Sequence, residues 1–156
     1  MLFRSSDAEL MESWRQFRRD NITALVTGVA ERVRKTAPNV KLSAAVFHEP
    51  ERDPVTIGQD WVAWCKSGLL DFVCPMDYYG RLGPLLEMQK QALAGAPVKL
   101  RPGLGLSCWD NPRNDAIKMT EQIKTVRDAG LDGFSVFDFD LRSASVIPVL
   151  HTGPTK

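Results

Sequence analysis

"GLLDFVCPMDYYG", residues 68–80, begins as a strand that belongs inside a protein and ends as one that meets something polar. Leu69, Leu70, Phe72, Val73 and Cys74 form an apolar run, and Pro75, Asp77, Tyr78 and Tyr79 crowd its C-terminal end. Gly68 stands where a left-handed residue closes a preceding helix. The device recurs: "SGLLDFV" at 67–73 and "AGLDGFSV" at 129–136 both run from a helix end through Gly and Leu to an acid and an aromatic strand.

Working outward, Ile22, Leu25, Val26, Val29 and Val33 recur at the spacing of a one-faced helix over 17–36, which Pro38 ends. A strand at 40–47, "VKLSAAVF", leads through the polar loop "HEPERDPVT" to a short helix over 58–67 with Trp61, Trp64 and Cys65 on one side. The opening strand follows, then a helix over 82–94 closed by Gly95 and a third strand, "PVKLRPGLGLS", at 97–107. A helix over 111–130, with Asn111 as N-cap, Pro112 in the first turn and Gly130 at its end, precedes a fourth strand at 133–140. A last short helix is expected at 143–150. Helices between short strands require right-handed crossovers and a parallel sheet, so all-α and all-β folds are excluded.

The 156 residues suffice for one domain, with 1–13 and 151–156 expected as loosely ordered ends. A net charge of +1 offers no electrostatic case for nucleic acid or an anionic membrane. No apolar stretch approaches the ~20 residues of a spanning helix, and "MLFRSSDAEL" has no apolar signal core. The expectation is a soluble chain, cytoplasmic if residue 1 is a true start and secreted if it is a fragment of a longer member of the family it resembles. Cys65, Cys74 and Cys108 have no metal-like spacing and read as free thiols. Neither GxGxxG, Walker loop, HExxH nor a G-x-S-x-G elbow occurs, so no cofactor or metal is expected.

Side-chain alternation separates an open sheet from a barrel wall. On the third strand Val98, Leu100, Leu104 and Leu106 share one side, with Lys99, Arg101, Gly103 and Gly105 on the other. Long cations and bare backbone suit a barrel lumen better than a face packed under helices. Phe134, Val136, Asp138 and Asp140 share a side of the fourth strand, and Leu42, Ala44, Val46 and His48 one of the first; both are expected to face the lumen. Each strand then brings a polar group to its C-terminal end, where barrel chemistry sits. Four strands cannot close a barrel of eight. Either the chain is half of a longer one, or two copies complete each other, or the sheet stays open.

The stretches "FRRDNITALVTGVAERVRKTAPNVKLSAAVF", "IGQDWVAWCKSGLLDFVCPMDYY" and "GLDGFSVFDF" resemble the C-terminal half of bacterial glycosyl-hydrolase-like (β/α)8 barrels, the group called glycosyl-hydrolase-like family ten. The likeness covers roughly residues 14–142, and the "GQDWV" to "PMDY" stretch is its most specific part. It implies an α/β fold of four parallel βα units, strands five to eight of a TIM-type barrel, with "WRQFRRDNI" in the helix after strand four. It also implies hydrolysis of O-glycosidic bonds in a bacterial or plant-type glycan. The family's DGxxxDxxRYP-type acidic motif on strand four has no counterpart in this sequence.

Glycoside hydrolysis needs two carboxyl groups, about 5 Å apart or more. Asp77 is the first candidate, since burial beside aromatic rings raises a carboxyl pKa as a general acid requires. Glu49, after the first strand, is the second. His48 at that strand's end suits a sugar hydroxyl. Tyr78, Tyr79 and Trp109 suit stacking on a pyranose face. Asp138 and Asp140 are candidate substrate contacts, as is Arg101 unless it neutralises a carboxylate. Trp61, Trp64, Phe72, Phe134, Phe137 and Phe139 are assigned to the core. The expected partner is carbohydrate, with a homodimer through open sheet edges, or a missing N-terminal half-barrel, completing the fold. The alternatives are a non-catalytic carbohydrate-binding or structural half-barrel, and an open α/β domain whose Lys99 and Arg101 bind a small anion.

Overall fold

The computed structural model describes residues 8–78, 81–105, 116–138, 144 and 146–153. Its first helix, α1 (Ala8–Thr36), begins well before residue 17, so part of the expected loose end is helical. Ile22 and Val26 pack on the core, Ala30 is buried, and Thr23 accepts a 2.9 Å bond from the Trp64 indole. Leu25 and Val29, expected on the inward side, are 68% and 43% exposed. The apolar positions of α1 span a wider arc than the sheet can cover, and the stripe centred on Ile22 and Val26 wins.

Strands β1 (Ser43–Val46), β2 (Phe72–Pro75) and β3 (Lys99–Leu100) form a parallel sheet in that order, with Ser43 opposite Phe72 and Phe72 opposite Lys99. A second parallel pair joins β4 (Gly103–Gly105) to β5 (Ser135–Phe137). The single strand expected at 97–107 is therefore two among the described residues, because the backbone changes partner around Pro102, which has no N–H to give. Arg101 N–H donates to Val73 O at 2.9 Å, whereas Pro102 O accepts from Ser135 N–H at 2.9 Å. A bridge between Met76 and Gly103 keeps β4 beside β2.

Helices fill the crossovers: α2 (Asp53–Thr56) and α3 (Trp61–Lys66), then α4 (Leu82–Ala92), α5 (Ala116–Asp128) and α6 (Ile147–Thr152). The loop expected at 48–56 thus contains a helical turn with Pro54 at its start. Of the last helix, expected at 143–150, the described part runs Ile147–Thr152, and Ser143 lies outside the described residues. The N-cap expected at Asn111 lies outside the described residues. Gly68 and Gly130 have φ of 65° and 75°, the left-handed conformation read from the repeated junction.

Two apolar clusters lie between helices and strands. One gathers Val46, Trp61, Trp64, Cys65, Val73 and Leu100; the other gathers Leu86, Leu104, Met119, Ile123 and Val126. Trp61 and Trp64 are core residues, as expected, and burial pushes the Cys65 thiol up to about 12. Ala44 and Leu42 pack on the first cluster, Phe134 and Val136 on the second. The sides of the first and fourth strands expected to face a lumen are therefore the helix-covered ones. Trp61 and α5 supply apolar cover that small and branched side chains fit. On the third strand the expectation holds: Leu100 and Leu104 lie beneath the helices.

The other side of the sheet has no helix on it among the described residues. Ser43, Ala45 and Phe47 are exposed, as are Lys99 and Phe137; Phe72, Cys74, Arg101 and Ser135 are half-buried. This side is concave near β4. Adjacent strands lie about 4.8 Å apart, so β2 and β5, which flank β4, would be roughly 10 Å apart in a flat sheet. Yet Ser135 Oγ donates to Cys74 Sγ at 3.2 Å across it. Two such short side chains meet only if the sheet curls toward them.

Candidate functional site

Beyond β2 the alternation sends consecutive residues to opposite sides. Asp77 follows Pro75 to the helix side and is 2% exposed. Its Oδ1 accepts a 2.8 Å bond from Gln89 Nε2 on α4, which also donates to His48 O at 3.1 Å. Burial pushes the Asp77 carboxyl up to about 7, and the Gln89 hydrogen bond offsets this only in part. Among the described residues Asp77 Oδ2 and Gln89 Oε1 have no hydrogen-bond partner.

Tyr78 takes the open side. Its ring stacks on Phe137 with centroids 5.1 Å apart and planes 19° from parallel. The ring reaches past β4 because Gly103 is bare. A Cβ there would lie 2.9 Å from Pro75 O and 3.3 Å from Tyr78 Cε1. Phe137, expected in the core, is 54% exposed, so the pair forms an aromatic ledge beyond the C-terminal end of β2. Phe47, at the end of β1, is also exposed on this side, with its N–H held by Gln59 Oε1 at 2.9 Å.

Glu49 is half-buried and pairs with Arg52 at 2.9 Å. Its N–H donates to Asp53 Oδ2 at 2.9 Å, and the Trp61 indole reaches the same oxygen at 3.4 Å. Asp53 is 5% exposed, and burial raises its pKa. His48 is half-buried, with its carbonyl engaged by Gln89. Asp138, half-buried, follows Phe137.

Arg101 lies toward the other end of the strands. Its guanidinium sits 4.6 Å from the ring centroid of Phe72, the first residue of β2, and Lys99 pairs with Asp132. Tyr79, Trp109 and Asp140 lie outside the described residues. The structure therefore groups Tyr78 with Phe137, joins Asp77 to His48 through Gln89, and leaves Arg101 apart. Sequence reasoning missed Gln89, Asp53, Gln59 and the exposure of Phe137. Gln89 had a signal, since it interrupts the apolar stripe Leu82, Leu86 and Leu93. Asp53 had none, lying within the charged run "HEPERDP".

This arrangement offers an aromatic surface at the strands' C-terminal ends, with a carboxyl group held behind it. No helix of the described residues is long and apolar enough to cross a membrane. A family model described as Glycosyl hydrolase-like 10 matches residues 3–96. No curated protein matches the sequence. Among solved structures, the chain is similar to the PgaB (BpsB) glycoside hydrolase domain from Bordetella bronchiseptica, at 17% identity and a TM-score of 0.65. The match covers 93% of this chain and 44% of that one, so the chain spans less than half the length of its structural relative. At that identity the likeness establishes a shared fold, a mixed α/β arrangement with parallel strands.

Proposed function

This chain belongs to the glycosyl hydrolase-like 10 family, and on that footing we propose that it is the strand-five-to-eight half of a (β/α)8 glycoside hydrolase, with its glycan on the concave side of the sheet. The observation that carries the proposal is the Tyr78–Phe137 ledge. An aromatic pair at the C-terminal ends of parallel strands, with Phe137 exposed and Tyr78 half-buried against it, suits the C–H face of a pyranose.

The chemistry proposed is hydrolysis of an O-glycosidic bond, which needs two carboxyl groups. Glu49 is the candidate that solvent reaches, with its charge balanced by Arg52. Asp77 lies behind the ledge against α4 and acts on it as a positioning residue. The second carboxyl group then comes from polypeptide that completes the barrel, whether a preceding half or a second copy. Binding without turnover is the alternative, and the orientation of Asp77 toward α4 favours it.

The test is affinity electrophoresis of the full chain through a panel of soluble polysaccharides, with reducing-end release measured in parallel. Retention by at least one glycan, weakened roughly tenfold by Tyr78→Ala or Phe137→Ala, is expected, since one stacked ring contributes about 1 kcal/mol or more. Reducing-end release separates hydrolysis from binding alone. Failure of every glycan to retard the chain, or retardation indifferent to both substitutions, overturns the proposal. Completion by a second copy predicts a dimer in light scattering, because among the described residues β1 and β5 have unpaired outer edges beside the open face. A monomer at high concentration leaves only the preceding half as the completing piece.

A further inference from the structure

Gln89 is fully buried and touches the ends of two strands at once. Both hydrogens of its amide are used, one on His48 O and one on Asp77 Oδ1. Its own oxygen, and the second oxygen of Asp77, are buried without partners among the described residues. Two acceptors stranded on side chains that already face each other are short of one hydrogen. We propose that Gln89 is a positioning residue that clamps the ends of β1 and β2 as the partner of a protonated Asp77, whose Oδ2–H donates to Gln89 Oε1, and that this clamp fixes the Tyr78 ring against Phe137.

The proton comes from solvent and no other bond changes. An acid–amide pair of this kind satisfies all four polar atoms, which is what burial demands. The titratable and charged groups on the elements packed here are Cys74 on β2 and Tyr78 after it, His48, Glu49, Glu51, Arg52 and Asp53 after β1, and Arg81, Glu87 and Lys90 at the start of and along α4. None of these contributes to the raised affinity of Asp77 for its proton, which burial causes. Tyr78 is the next residue along the chain, so loss of the clamp reaches the ledge through one peptide unit. The role of Gln89 in sugar binding rests on the proposed function, but the clamp itself can be tested without a glycan.

The experiment uses the full chain labelled with 13C, following the Asp77 side-chain carboxyl carbon by NMR, assigned by its loss in Asp77→Asn. The expected midpoint is near neutrality, and the nuclear Overhauser contact between the Tyr78 and Phe137 rings weakens as the pH rises through it. Asp77→Asn, whose amide permanently supplies the missing hydrogen, keeps that contact at every pH. Gln89→Leu loses it at every pH; should that variant not fold, the wild-type and Asp77→Asn series decide alone. A carboxyl carbon that titrates in the ordinary carboxylate range, near pH 4, overturns the clamp. So does a ring contact indifferent to pH in the wild type. A neutral midpoint in a chain that binds no glycan keeps the clamp and removes the carbohydrate reading.

Discussion

The two sides of the sheet are built from alternate residues of the same short strands and have opposite fates. On the helix side Val46, Val73 and Leu104 are 0% exposed. On the other side, one residue along, Ala45 and Phe137 are exposed and Phe72 and Cys74 only half-buried. Both sides carry apolar residues, so hydrophobicity alone does not say which is covered. What separates them is the partner: α1, α3, α4 and α5 supply apolar side chains to one side, and no described element lies on the other. An aromatic ring on the uncovered side becomes a surface feature, as Phe137 did.

The largest expected break in this contrast comes from Leu104→Ala, which empties a fully buried site between β4 and the α4–α5 pair. It should cost about 2–5 kcal/mol in urea unfolding of the full chain. A cost below about 1 kcal/mol would mean the helix side is loosely packed. Gly103→Ala acts from the open side but against backbone, because the new methyl group meets Pro75 O. A loss of about 1–3 kcal/mol, with the Tyr78–Phe137 contact displaced, is expected. Phe137→Ala should cost about 1 kcal/mol or less by the same measurement, since half its ring is already in water.

A gentler probe compares two thiols. Cys65 lies buried on the helix side with its pKa pushed up to about 12, while Cys74 lies half-buried on the open side. Alkylation at neutral pH, mapped by peptide mass, should modify Cys74 well before Cys65. The reverse order would reverse the two faces.

Acidity sharpens the same contrast between neighbours, Asp77 inside and Tyr78 outside. The Asp77 carboxyl holds its proton to about pH 7 when folded and releases it near pH 4 when unfolded. Between those values the unfolded chain binds fewer protons, so stability falls as pH rises from about 4 to about 7 and levels off above. Melting temperatures of the wild type should fall over that window by more than those of Asp77→Asn. Parallel profiles would show that Asp77 is not the group responsible.

Much of this was legible in the sequence. The repeated helix–Gly–Leu–acid junction fixed where strands begin, and the tryptophans at 61 and 64 declared their side of α3. The spacing of leucines on the third strand placed Leu100 and Leu104 beneath the helices. The side of β1 was misread because Leu42, Ala44 and Val46 are small or medium apolar residues, which fill a lumen and a helix-covered core equally well. Gln89 escaped because its role depends on two backbone and side-chain acceptors far away in sequence, at positions 48 and 77. The division of the third strand is written in Pro102, yet a proline tells only that one donor is missing and not which neighbour takes over.

That change of neighbour at Pro102 also divides the interior. Trp61, Trp64 and Val73 belong to one cluster, Leu104, Met119 and Ile123 to the other, and Leu131 packs against both. Among the described residues the interior thus has a seam, stitched by a broken strand and one shared leucine. Slow amide exchange should appear as two blocks of unequal lifetime divided there, with the loss of Leu131 uncoupling them.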